Sequence, residues 1–466
     1  MSQTLFEKLL DMHLVERFKD GSALVLIDRV MLHERTGALA LSALADADRA
    51  IANPANVFAC MDHIVSTLPG RGDATSVPNG AAFVSAMRDT AADAGIRLFD
   101  INDPMQGISH LVSAEQAIAL PGLTMVCPDS HTCTLGALGL LAWGIGTSDC
   151  EHALATETLR IRVPKSMRVW CDGQLGHGAT AKDLILALIA RHGANGGAGY
   201  HIEFAGPAIV GMSMAERFTL CNMAVEFSAF SGVVAPDETT IDYLRGRPLA
   251  PAADQFDAAA RYWRTLVSDD DALFDSEILV DCDTLRPMVS WGTSPAQTLP
   301  LGERIKPASN DIGAQRALDY MGLNAGQSLD GLRVDGAYIG SCTNARLEDL
   351  RAAAALLRGK RIAAHVQARC VPGSTQTRLA AEAEGLDKVF TDAGFEWHES
   401  GCGLCFYAGG DGFAPGSRVI STTNRNFEGR QGPGVRTHLA SPVTVAASAL
   451  AGRIASAPAQ LLDEVG

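Results

Sequence analysis

The chain has 466 residues, 47% of them hydrophobic and 20% charged, with 38 Lys+Arg against 53 Asp+Glu for a net charge of −15. That length holds two to four domains with ample core, and the composition is that of an ordinary globular protein rather than a disordered or fibrous one. The acidic balance argues against nucleic acid or an anionic membrane as a partner. It leaves room for a small anionic substrate held by a few arginines in a cleft.

Residues 1–14 mix charge with apolar residues at helical spacing and contain no signal-peptide hydrophobic run. The spacing predicts a first helix over 4–14. The apolar, glycine-containing stretch 136–146 is too short to span a bilayer and reads as a buried helix or loop. Eleven cysteines in a chain without an export signal point to reduced thiols and a cytoplasmic protein. Eight of them (Cys60, Cys127, Cys133, Cys150, Cys171, Cys221, Cys282 and Cys370) read as small packing residues.

Short β-type runs alternate with longer alanine- and leucine-rich helical runs, a pattern that predicts an α/β fold with mainly parallel sheets. A strand is expected at 23–30, then His33-Glu34-Arg35-Thr36 and a helix over 39–45. A buried strand at 57–61 ends in Asp62-His63. The stretch 66–75, broken by Pro69, Gly70 and Gly72, reads as an exposed loop before a helix at 79–94. Next come Gly107-Ile108-Ser109-His110, a strand at 123–127 ending in Pro128-Asp129-Ser130-His131, and helices at 148–160 and 182–190. Residues 219–226 read as a helix that places Asn222 and Glu226, four apart, on one face. A polar connector from Trp291 to about Asp330 suggests a boundary, with residues 1–285 as two domains, interleaved or not, and 286–466 as a third. Beyond it lie strands at 334–339, 363–371 and 418–420 and helices at 347–357, 376–385 and 443–451. No tandem repeat is present.

Polar clusters therefore recur just after apolar strands, which is how a cleft is assembled from strand ends. His63, His110 and His131 each lie near a carboxylate, and an imidazole held by a carboxylate carries protons near neutral pH. On a regular strand Asp62 and His63 would point to opposite faces, so they cooperate only if the strand has already ended. Asn424-Arg425-Asn426-Phe427-Glu428-Gly429-Arg430 sets two arginines five apart in a loop after the last strand, suited to gripping a carboxylate.

Two cysteines lie in Gly401-Cys402-Gly403-Leu404-Cys405, and a third well upstream in Gly340-Ser341-Cys342-Thr343-Asn344. Cys342 falls at a strand-to-helix step, where a helix N-terminus favours a thiolate. A Cys-x-x-Cys pair alone also fits a redox dithiol or half a zinc site. Three thiolates without a fourth make an incomplete shell, which fits a [4Fe–4S] cluster whose open iron acts as a Lewis acid.

The Cys342 motif, Asp129-Ser130-His131-Thr132, Cys402-x-x-Cys405 and the 424–430 motif together resemble the aconitase superfamily. Cys221-Asn222-Met223-Ala224, Ala235-Pro236-Asp237-Glu238-Thr239-Thr240 and Trp291-Gly292-Thr293-Ser294-Pro295 resemble the 3-isopropylmalate dehydratase large subunits within it. The resemblance runs along essentially the whole chain. It implies three α/β/α domains with mainly parallel sheets around a [4Fe–4S] cluster held by Cys342, Cys402 and Cys405, without the fourth, swivelling domain of aconitase.

By the same resemblance Asp62 would pair with His63, Asp129 with His110, and Glu226 with His131. Ser130, Asn222, Asn424, Arg425, Arg430 and His33 would line the substrate site. The implied reaction is dehydration and rehydration of an isopropylmalate in leucine biosynthesis, with His63 protonating the leaving oxygen and a separate small subunit supplying the base. The chain departs from the large subunits in two stretches and at two single positions: Gly403-Leu404 stands where they carry Ser-Met, Tyr407-Ala408-Gly409-Gly410 where they carry Met-Asn-Pro-Asp, and Pro128 and Cys133 replace residues usual for the family. These leave open a paralogue acting on 2-methylmalate, 2,3-dimethylmalate or homoaconitate. A cluster-dependent RNA-binding protein and a zinc-binding scaffold are the readings from other classes.

Overall fold

The computed structural model describes residues 2–176, 178–307 and 311–457. By packing, the chain divides into two units. The first comprises Met1–Val65, Asn79–Asp172 and Gly197–Val280; the second comprises Ser66–Pro78, Gly173–Gly196 and Asp281–Gly466. Among the described residues no helix is long and apolar enough to cross a membrane.

The first unit is built on a five-stranded, all-parallel sheet of strands Arg29–His33, Val57–Cys60, Arg97–Phe99, Thr124–Cys127 and Leu141–Gly144. Their order in space is third, second, first, fourth, fifth. Such a sheet is buried on both faces, which is why Thr124–Cys127 reads as an unbroken buried run rather than an alternating one. The chain order reverses between the first and fourth strands, the switch point beyond whose carboxyl ends open α/β sheets generally bind their ligands.

Two smaller sheets complete this unit. One is an antiparallel set of Leu14–Arg17, Ser22–Leu26 and Thr158–Arg162. The other joins Ser231–Val233, Tyr200–Ala205, Lys165–Asp172 and Ser276–Asp281 in that spatial order. The predicted strand at 23–30 is in fact two strands belonging to different sheets, with the break at Ile27–Asp28. Asp28 Oδ2 accepts from the Thr124 backbone N–H there at 2.8 Å. The predicted helix at 148–160 ends at Thr156, and Glu157, at φ 52°, turns the chain into strand Thr158–Arg162. Stretch 136–146 is the end of a 3-10 turn followed by strand Leu141–Gly144.

The second unit repeats the same strand order with Gly336–Ile339, Gln367–Cys370, Phe395–Trp397, Arg418–Ser421 and Arg436–Leu439, again all parallel. Helix Leu347–Leu357 turns Leu350, Ala353, Ala354, Leu356 and Leu357 inward, and full burial of each such leucine contributes roughly 1.5–3 kcal/mol. Helix Pro442–Ala451 packs against it and is almost entirely Val, Ala, Ser and Thr. Residues 66–78 are mostly exposed and are tethered along their length: Thr67 Oγ1 lies 3.1 Å from His398 Nδ1, the Thr67 carbonyl accepts from Glu399 N–H at 2.7 Å, Arg71 donates to the Ser400 carbonyl, and Ser76 Oγ accepts from Asp411 N–H at 3.1 Å.

Both units bury histidines in the neutral form. His201 stacks on Phe6 with ring centroids 4.6 Å apart, and neither ring nitrogen has a hydrogen-bond partner. Burial brings its pKa down to about 3. His438 is also brought to about 3, by burial and then by Arg418. Its Nδ1–H donates to the Ser290 carbonyl and its Nε2 accepts from Arg418. Unfolding frees both rings to take up a proton below pH 6.5, so stability contributed above that pH is lost as pH falls toward 3. Each ring steepens the slope by about 1.4 kcal/mol per pH unit. Denaturant unfolding of His201→Leu between pH 7 and 4 is expected to show that slope reduced by one proton. An unchanged slope would mean that His201 is protonated in the folded state.

Candidate active site

In the first unit the titratable groups gather where parallel strands end. Strand Val57–Cys60 stops before Asp62, so strand alternation no longer separates Asp62 from His63, and His63 Nδ1 hydrogen-bonds Asp62 Oδ1. Ser109 N–H, opening helix Ser109–Glu115, donates to Asp62 Oδ2 at 2.9 Å. Asp129 follows strand Thr124–Cys127 and caps the 3-10 turn Ser130–Leu138 by accepting from His131 N–H at 2.7 Å. The same carboxylate meets His110 Nε2 at 3.0 Å and His63 Nε2 at 3.1 Å. His131 Nε2 reaches Glu226 Oε1 at 2.9 Å. Asp62, His63, Asp129 and His110 thus form one bonded chain, and His131 joins Asp129 to Glu226. A Cβ on Gly144 would stand 2.4 Å from the Asp129 carbonyl oxygen, so only glycine lets strand Leu141–Gly144 pass this loop.

Glu34 belongs to this network and nothing in the local sequence marks it. It is fully buried, accepting from Asp62 N–H at 3.0 Å and from Ile64 N–H, so it fixes the turn that carries His63. His33 lies beside them with its ring stacked on His63, centroids 4.1 Å apart. Its Nε2–H faces the Pro128 carbonyl at 3.2 Å, and its buried Nδ1 has no hydrogen-bond partner. His33, Glu34, Asp62 and His63 bring ligand atoms within 4.8 Å of one another. Glu34 is occupied by two backbone N–H groups and Asp62 and His63 by each other, so the four make a hydrogen-bond network rather than a vacant metal shell.

The charges sort themselves accordingly. Burial works to lower the His63 pKa, but the Asp62 and Asp129 carboxylates outweigh it and hold the ring protonated well above the usual range. Burial would raise Asp129, yet hydrogen bonds from His110, His131 and His63 keep it well below the usual carboxylate range. Asp62 lies at about 2, its burial overcome by His63. His33 is brought to about 4 by burial and the neighbouring His63 charge, so a neutral ring lies on a cationic one. Glu34 is raised to about 7 by burial and by Asp62.

Ser130 Oγ lies 3.4 Å from His131 Nδ1. Asn222 is fully buried and donates to Thr134 Oγ1 at 2.8 Å. The predicted shared helical face of Asn222 and Glu226 does not exist. Helix Met214–Met223 ends first, and Glu226 lies in the 3-10 turn Val225–Phe227 that reverses at Ser228, at φ 65°.

In the second unit the three cysteines lie in loops that the sheet delivers. Strand Gly336–Ile339 leads to Cys342, and Phe395–Trp397 leads to Cys402 and Cys405 in a 3-10 turn. All three are buried and outside any disulfide. Ser341, a non-glycine residue held at φ 81°, directs its hydroxyl to Cys405 Sγ at 3.2 Å and lies 3.9 Å from Cys342 Sγ. Asn424, beyond strand Arg418–Ser421, donates to Cys342 Sγ at 3.4 Å, and its Oδ1 is 3.7 Å from Cys405 Sγ. Arg430 Nη2 donates to Cys405 Sγ at 3.6 Å, while its buried Nε has no hydrogen-bond partner. Arg425 is half-buried. Asn426 holds the Trp291 connector, donating to Ser290 Oγ and to the Gly292 carbonyl at 3.1 and 2.6 Å.

Two buried cations brace these loops, and neither is evident from the sequence. Lys182 is fully buried and donates to the carbonyls of Thr422 and Thr423, both at 2.8 Å, and to Asn344 Oδ1 at 3.4 Å. Burial brings it down to about 7 despite the nearby Asp349 carboxylate and Cys342. Arg346 donates to the carbonyls of Thr343 and Cys342 at 2.8 and 2.9 Å.

The sequence matches the Aconitase family (aconitate hydratase) over residues 7–452. It is 49% identical over 460 residues to 3-isopropylmalate dehydratase large subunit 1 of Bradyrhizobium diazoefficiens, covering 97% of this chain and 96% of that one. Among solved structures, aconitase X of Thermococcus kodakaraensis in its holo-form aligns with 91% of this chain and 88% of its own, at a TM-score of 0.47 and 12% identity.

If Asp62 is what keeps His63 charged, Asp62→Asn lowers the His63 pKa, read from ring-selective NMR titration. An unmoved titration would assign that work to Asp129 alone.

Proposed function

The chain belongs to the aconitase family, and on that premise we propose that it is the large subunit of a two-subunit hydro-lyase interconverting 2-isopropylmalate and 3-isopropylmalate, a step of leucine biosynthesis. The observation that supports this best is the convergence of Ser341, Asn424 and Arg430 on the sulfurs of Cys342 and Cys405. Cys342, Cys402 and Cys405 would hold a [4Fe–4S] cluster. The donor set suits it: three cysteine sulfurs outside any disulfide in glycine-containing loops, with hydroxyl, amide and guanidinium donors that favour thiolate over thiol. Such a cluster, when bound with one iron lacking a protein ligand, supplies a Lewis acid.

The chain's own residues divide the remaining work. His63, charged and pinned at both nitrogens by Asp62 and Asp129, is the proton donor to the departing hydroxyl. On rehydration it takes that proton back. Arg430, with an unspent Nε–H, and Arg425 grip substrate carboxylates through charge-assisted hydrogen bonds. Ser130, His33, Asn222 and Asn424 line the site. His110, His131 and Glu226 fix the Asp129 loop and complete the proton network. The base that removes the carbon-bound proton is assigned to a separate small subunit, a division supported by the relative's name as a large subunit.

Oxygen-free reconstitution with iron and sulfide is expected to load about four iron atoms per chain, with loading lost in Cys342→Ser. Interconversion of the two isopropylmalates is expected only after a cognate small subunit is added. His63→Ala is expected to lower kcat by about 10²–10⁴ with iron content unchanged. Turnover of 2-methylmalate or homocitrate in place of isopropylmalate would move the chain to a paralogous dehydratase. Salt-dependent RNA binding without turnover would replace the enzyme by a binding protein.

A further inference from the structure

Tyr338 occupies the penultimate position of strand Gly336–Ile339 and is fully buried. Its hydroxyl is directed at the second cysteine loop rather than into apolar core. It donates to the Cys402 carbonyl at 3.2 Å and accepts from the Leu404 N–H at 3.1 Å. The Cys402–Cys405 turn has further fastenings: Cys405 N–H bonds the Cys402 carbonyl at 3.0 Å, Gln431 Nε2 donates to the Leu404 carbonyl at 3.0 Å, and Ser341 and Arg430 donate to Cys405 Sγ. Of these, the Tyr338 hydroxyl binds the main chain of the turn from the strand that also delivers Cys342.

The glycines beside it show that the ring end is built in. A Cβ on Gly340 would stand 2.6 Å from the Tyr338 oxygen, and one on Gly403 would also stand 2.6 Å from it. Gly340 precedes Cys342 by two residues, and Gly403 lies between the paired cysteines. The phenol end therefore fills the space that side chains at both positions would take, and it separates the two cysteine-bearing loops by a fixed thickness. A side chain at 403 would collide with the Tyr338 oxygen.

We propose that Tyr338 is the positioning residue that sets the Cys402-x-x-Cys405 turn against Cys342, and that its hydroxyl adds to the left-handed backbone of Gly403, at φ 51°, in excluding a side chain there. It touches neither substrate nor the reacting atoms; it acts through two backbone groups of the ligand-bearing turn. This rests on the reading of the three cysteines as cluster ligands. Losing the hydroxyl leaves the Leu404 N–H without this acceptor and the Cys402 carbonyl with one donor fewer beside the Cys405 N–H, and the turn then holds its ligands less rigidly.

The test follows iron and sulfide content and the decay of cluster absorbance in air, on the full chain reconstituted without oxygen. The wild type, Tyr338→Phe, Gly403→Ala and the double variant are compared, with melting temperatures of all four apoproteins. Tyr338→Phe is expected to lose its cluster about tenfold faster than wild type, as two hydrogen bonds imply, with the apoprotein melting lowered by no more than about a few degrees. Gly403→Ala is expected to load poorly, through the collision with the hydroxyl and the strain of its left-handed backbone, and adding Tyr338→Phe is expected to relieve part of that loss, a non-additive cycle that independent sites would not give. Equal decay in wild type and Tyr338→Phe, additive losses, or a fall in apoprotein melting that tracks the cluster loss would each overturn the inference. A wild type that takes up no iron–sulfur cluster would instead remove the reading beneath it.

Discussion

Asp129 is a half-buried carboxylate met by His63, His110 and His131, and the first unit is arranged to keep it ionised. An isolated buried carboxylate would protonate. Here contacts with His63 and His110, together with the His131 N–H, more than offset that cost. The compensation runs both ways, because the same carboxylate joins Asp62 in holding His63 charged. A parallel sheet makes this possible. Asp129 and Asp62 follow different strands of one sheet and His110 opens a helix, so three chain segments meet at the strands' carboxyl ends.

The second unit solves a different problem with the same strand order. Its loops carry sulfur, a weak hydrogen-bond acceptor, so the loops themselves must be stiff. Lys182 and Arg346 do this by binding main-chain carbonyls beside Asn424 and at Cys342 and Thr343 rather than the sulfurs. The sulfurs of Cys342 and Cys405 meet the donors of Ser341, Asn424 and Arg430 instead. Ser341, held at a backbone angle that favours glycine, shows that the loop tolerates local strain to aim one hydroxyl.

Much of this was legible in the sequence because polar clusters directly follow apolar strands, and strand ends are where an α/β sheet gathers its reactive groups. Helix 347–357 was readable to the residue, since its apolar spacing and the loops around it agree. Glu34, Lys182 and Tyr338 were not readable. Glu34 sits in a short polar stretch that looks solvated, and Lys182 follows a helix cap, where a lysine is ordinarily exposed. Each is buried by partners far along the chain, Ile64 for one and Thr422 for the other, and local pattern carries no record of such partners. The split strand at 23–30 has the same origin: Asp28 is ordered by Thr124, nearly a hundred residues away. Helix 219–226 failed because a 3-10 turn differs from an α-helix in periodicity, not in composition.

All eleven cysteines are buried and none is in a disulfide. Eight lie inside packed interior, and the other three sit in the loops just described. An oxidant in solution therefore meets no surface thiol, and joining two molecules through a sulfur bridge requires one of them to open first. For a chain so rich in thiols, shelf life is governed by how often the fold breathes rather than by how much oxidant surrounds it.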